Sequence, residues 1–186
     1  LRAEALARLG RYDEARDVAR EVTAAFPGRF SLIAARALHA QGDITGAERE
    51  LASALRYGGD ALAEAWLFRA RLVLERGAHD EARAAARRAG EAGAGVRAVS
   101  AVEIEAIIRE GRLDEARSRL APPGRPQLFS QRRSLRNDPQ SDYLLAMVDA
   151  ASGDYAAALR RLRPLEQHLA RDPRGRLILA AARLGA

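Results

Sequence analysis

Three histidines, His39, His79 and His168, are the side chains of this chain best suited to hold a metal or to move a proton near neutral pH. Such work needs partners at fixed intervals, for example a second histidine four residues on along one helix face with a glutamate beside the first. No HExxH spacing occurs, and the three fall in different parts of the chain. There is no cysteine, which removes disulfides, thiolate metal sites and thiol nucleophiles together. The serines lack a GxSxG setting, no GxGxxG follows a strand, and no Walker sequence is present to cradle a phosphate. Asp and Glu are plentiful, but they recur along the chain at similar places, as helix caps and ion pairs do. No enzyme, metal or cofactor is expected. His79 reads as a surface turn residue, while His39 lies where an inward-facing imidazole could help recognise a ligand.

The cations are the next candidates. All 31 basic residues are arginine, a bias that fits a GC-rich coding genome. Residues 1–111 hold 17 Arg against 17 Asp and Glu, whereas residues 112–186 hold 14 against 8, so the whole excess of +6 lies in the second stretch. A basic half can favour acidic partners or nucleic acid, and it equally fits a solvated helical surface. Single strands are gripped by aromatic platforms as well as by charge, and the basic stretch offers only Phe129, Tyr143 and Tyr155. No polar residue recurs in the regular way that base-reading repeats require. A protein or peptide is the better-supported partner.

What must position these side chains is helical. Alanine, leucine, arginine and glutamate dominate, all good helix formers, and the β-branched and aromatic runs of strands are missing. One short stretch recurs: GRYDEAR at 10–16, GAHDEAR at 77–83 and GRLDEAR at 111–117, with looser versions starting at Gly42 and Gly153. The opening glycines are 32, 35, 34 and 42 residues apart, and each is followed five residues later by Ala15, Ala47, Ala82, Ala116 or Ala158. Glycine suits the left-handed residue just past a helix end. Asp13, Asp80 and Asp114 sit where a side-chain oxygen could cap the next helix. The alanine, one turn in, lets paired helices approach. The pattern predicts first helices near 1–9, 29–41, 61–76, 96–110 and 140–152, and second helices near 12–25, 44–57, 79–91, 113–121 and 155–170.

A period near 34 with this punctuation resembles the tetratricopeptide repeat. In the third copy AEAW at 63–66 opens the unit as the family consensus does, GAHDEA follows at the right distance, and Pro27 closes the first copy where that consensus ends. The resemblance implies an all-α fold, a right-handed α-α superhelix of about five helix-turn-helix repeats plus a C-terminal helix. The units would be about 1–27, 28–62, 63–96, 97–138 and 139–172, with 173–186 as the terminal helix of one solenoid domain. It also implies recognition of a protein or peptide in a concave groove lined by first helices. In this register the groove carries Leu32, Arg36 and His39, then Leu67, Arg71 and Leu74, then Ala101, Glu105 and Ile108, and finally Tyr143. Arg36 and Arg71 would lie one above the other and could clamp a carboxylate through bidentate bonds. The family's carboxylate clamps use lysine and asparagine, and this chain has no lysine and one asparagine, Asn137, outside the helices.

The pattern breaks in the fourth unit. Residues 121–138 form an insert in which Pro122 and Pro123 end the helix early. Inserted loops on a solenoid often carry function, so Arg132, Arg133 and Arg136 are a candidate contact for an acidic partner. Pro164 should kink the fifth second helix, between Arg160, Arg161 and Arg163 on one side and Arg171, Arg174 and Arg176 on the other. No apolar run reaches the roughly 18–20 residues of a membrane span, and LRAEALARLG is not a signal peptide, which points to the cytoplasm. Residues 1–9 read as the end of a helix and 174–186 as another first helix, so a piece of a longer chain is expected. Two further functions fit the same residues: a regulatory or sensor segment of a larger bacterial signalling or transcription protein, and a self-assembly module.

Overall fold

A computed structural model describes residues 2, 5–6, 9–22, 27–120, 139–169 and 173–185. The described residues form helices and no strand. In order they are α1 (Tyr12–Val22), α2 (Pro27–Ala40), α3 (Ile44–Tyr57), α4 (Leu62–Glu75), α5 (His79–Glu91), α6 (Val96–Arg109), α7 (Leu113–Leu120), α8 (Pro139–Ala151), α9 (Tyr155–Leu162), α10 (Glu166–Leu169) and α11 (Pro173–Gly185). Short 3-10 turns precede α4 at Gly59–Ala61 and α10 at Arg163–Leu165. The chain forms two compact units, Leu1–Val99 and Ser100–Ala186.

Both units are built of helical hairpins with one kind of turn. Gly10, Gly42, Gly77, Gly111 and Gly153 all take positive φ, between 76° and 85°. At Gly42, Gly77, Gly111 and Gly153 two amides reach back across the helix end. In the second copy Gly42 N–H donates to the His39 carbonyl at 3.0 Å and Asp43 N–H to the Leu38 carbonyl at 2.9 Å. This double bond satisfies carbonyls that a helix end would otherwise leave open, and only a left-handed residue allows it. Five residues on, Ala15, Ala47, Ala82, Ala116 and Ala158 are each 0% exposed. At that position the second helix of each hairpin therefore touches its neighbour through a methyl group.

The aspartates divide differently from the sequence reading. Asp43 and Asp154 are the true caps, their carboxylates accepting from Gly46 N–H at 2.8 Å and Ala157 N–H at 2.9 Å. Both stand one residue after the glycine. Asp13, Asp80 and Asp114 stand three residues after it, already inside the first turn. There they favour the positive end of the helix dipole without capping it. Asp80 instead accepts from Arg83 at 2.9 Å. Asp43→Ala is accordingly expected to cost about 0.5–2 kcal/mol in a urea titration, and Asp80→Ala at most about 0.5 kcal/mol. Equal losses would contradict this assignment.

Each unit buries its own apolar faces. In the first, Leu32, Ala35, Leu51, Ala54, Ala61, Ala65, Phe68 and Leu72 join α2, α3 and α4. In the second, Ile104, Ile107, Ile108, Ala116, Leu144 and Val148 join α6, α7 and α8. A further cluster of Ala146, Ala158, Leu162, Leu165, Leu169, Leu179 and Ala182 joins α8 through α11. Pro164 breaks the fifth second helix as expected, and the 3-10 turn it imposes keeps Leu162 and Leu165 facing inward. Within the same hairpin Arg161 Nε donates to Asp149 at 2.7 Å, and Asp149 is 9% exposed. That arginine belongs to packing rather than to a free basic cluster.

Candidate partner-binding face

In the first unit α2 and α4 present their polar residues to one another. Phe68 on α4, 8% exposed, forms the floor. The Arg36 guanidinium stands 5.9 Å from the centre of its ring, and the His39 ring meets it edge-on at 5.7 Å. Each of these α2 side chains also reaches a carboxylate from α4. Arg36 donates to Glu64 at 3.1 Å, and His39 Nε2 lies 2.9 Å from Glu75 Oε2. At the start of the helix, Arg29 donates to Asp60 at 3.1 Å. Three rungs thus tie one hairpin to the next, with the basic partner always from α2.

These rungs follow in part from the repeat register. Aligning Gly42 with Gly77 sets Arg29 level with Glu64, so at that position α2 brings a basic residue where α4 brings an acidic one, whereas Arg36 is level with another arginine, Arg71. The pairs are half exposed, and such pairs typically contribute about 0–1 kcal/mol each. Their value is positional: they hold the guanidinium and the imidazole at set places above an aromatic floor.

The groove residues anticipated from sequence separate into two sets. Arg36, His39 and Leu67 are half-buried and Arg71 is exposed, all in the first unit. Leu32 is 2% and Leu74 0% exposed, and Ile108 in the second unit is 6% exposed. This corrects the reading of those three as open groove residues. Leu32 packs with Leu51 and Phe68, and Ile108 with Ile104 and Leu144, because the neighbouring helices close over that edge of the first helices. Ala101 is likewise core, at 8%. Glu105, at 9%, accepts two bonds from Arg109 at 2.9 and 3.2 Å. Tyr143 is half-buried against the cluster of Leu162 and Leu179. The clamp expected from Arg36 and Arg71 is altered too, since Arg36 already holds Glu64.

Glu64, Phe68 and Glu75 escaped the sequence reading. The signal for Glu64 was present, because it lies in the AEAW opening three residues before Leu67, on the same helix face. Phe68 could not be distinguished from ordinary core by spacing. Arg132, Arg133 and Arg136 lie outside the described residues, as does Arg171. Arg160, Arg163 and Arg176 are exposed. Among the described residues no group of His, Cys, Asp and Glu is placed to hold a metal ion, and no helix is long and apolar enough to cross a membrane.

Three stretches of the chain match the tetratricopeptide repeat family: residues 1–21, 28–53 and 139–164. The second covers α2 and most of α3, and the third covers α8 and α9. The third hairpin, with its AEAW opening, falls outside the matched stretches. No curated protein and no solved structure matches the chain.

Proposed function

The chain carries tetratricopeptide repeats, and from that premise we propose that it is an adaptor that holds a peptide or a partner protein against the α2–α4 face of its first unit. Repeats of this family generally mediate protein–protein interaction and are typically non-catalytic. One observation carries the choice of face: Arg36 and His39 are fixed over Phe68 with carboxylates beside them. Leu67 and Arg71 lie on the same side of α4. An acidic group arriving at Arg36 would replace Glu64, an exchange that costs little because the existing pair is exposed. The guanidinium would keep its place above the ring, so less freedom is lost on binding. A partner with one carboxylate and a flanking apolar residue fits this face, the apolar group lying on Leu67.

The test is a charge reversal. Partners are captured by the unmodified chain, identified, and re-bound to Arg36→Glu with Arg71→Glu. The double variant is expected to lose binding by a hundredfold or more while its helical circular dichroism stays unchanged, about 1.4 kcal/mol going with each tenfold. Binding that survives the reversal rules this face out.

A further inference from the structure

The opposite side of α4 carries a different arrangement. At 3.6 residues per turn, Trp66 and Arg69 point away from Glu64, Phe68, Arg71 and Glu75. Trp66 is the chain's only tryptophan, and it is half-buried. The Arg88 guanidinium, from α5 of the same hairpin, lies over its ring at 4.8 Å from the centroid. Arg69 stands one turn further along α4 and is exposed. Several arginines are taken up by carboxylates, as Arg36 is by Glu64, Arg76 by Glu48, Arg109 by Glu105 and Arg161 by Asp149. Among the described residues Arg69 and Arg88 make no ion pair at all.

A guanidinium stacked on an indole uses its flat face and leaves its in-plane N–H groups outward. Those edge donors match a carboxylate in bidentate geometry. The stack also removes much of the freedom that an arginine loses on binding. Tryptophan and arginine together are the side chains most often found to carry binding energy in protein interfaces. We infer that Trp66, Arg69 and Arg88 form a second docking point, separate from the α2–α4 face, that takes the carboxylates of an acidic segment in a partner protein. Nucleic acid is disfavoured because a single indole gives no run of stacking platforms. Residues 1–111 also balance 17 Arg with 17 Asp and Glu, leaving no long-range field to gather a polyanion.

The lone tryptophan makes the site its own reporter. A dye-labelled synthetic peptide of glutamates around one phenylalanine should change the indole emission saturably. Arg69→Gln with Arg88→Gln should weaken its binding about tenfold or more by anisotropy. Trp66→Ala should also weaken the binding by anisotropy, because the Arg88 guanidinium loses the ring that orients it. No saturable emission change overturns the inference. So does an oligothymidylate that saturates the emission below the peptide's concentration. A peptide affinity lost in Arg36→Glu with Arg71→Glu, yet kept in the glutamine pair, also overturns it and assigns the peptide to the α2–α4 face.

Discussion

Leu74→Ala is expected to lower the unfolding free energy by about 2–5 kcal/mol, the largest loss of any single change considered, because it empties a site with no access to solvent. A leucine at 0% exposure loses both its transfer energy and its packing partners. In a repeat array each hairpin depends on its neighbours, so the second and third hairpins of the first unit should lose hydrogen-exchange protection together. A urea titration checks the energy. A change under about 0.5 kcal/mol would mean that this side chain is exposed after all, as a groove residue would be.

The second large effect is expected from Gly28→Ala. Gly28 sits in the first turn of α2, and a Cβ there would come 2.5 Å from the Gly58 carbonyl oxygen. The obstacle is backbone, so no side chain can swing aside. Gly58 is itself held at φ 58°, between the end of α3 and the 3-10 turn that leads into α4. Making room would push the start of α2 away from the junction where Arg29 meets Asp60. Overpacking of this kind costs about 1–3 kcal/mol. Thermal unfolding of the variant checks the loss, and an unchanged melting temperature would show that the two backbones do not meet. Alanine is otherwise the better helix former, so a loss would be opposite in sign to what propensity predicts.

Much of the architecture could be read from the residues. The five glycines and the alanines after them set the turns, and the ends of the expected helices lie within two residues of those observed for α2 through α8. Glycine at positive φ and alanine at zero exposure are local demands, so a local pattern reveals them. The aspartates were harder. Asp13, Asp80 and Asp114 stood in the better-repeated stretch and seemed the caps, but capping depends on the residue just outside the helix, and only Asp43 and Asp154 occupy it. The candidate face was legible in part. Register named Arg36, His39, Leu67 and Arg71, yet it also named Leu32 and Leu74, because helical period gives the direction of a side chain and not the depth of what covers it. The partners of Arg36 and His39 lie 28 and 36 residues away, beyond any spacing rule within one helix.

The three rungs between α2 and α4 have a bearing on how such a chain could be rearranged by duplication. In these rungs the basic groups come from the second hairpin and the acidic ones meet them from the third or the turn before it, while Arg76 of the third hairpin pairs with Glu48 of the second in the opposite sense. Were the second hairpin followed by a copy of itself, Arg29 would stand where Glu64 now meets Arg36, and two guanidinium groups would oppose each other. The hairpins share a shape but are keyed, so their order is written in charge as well as in chain connectivity. Recombination that shuffles them would keep the turns and lose the fit.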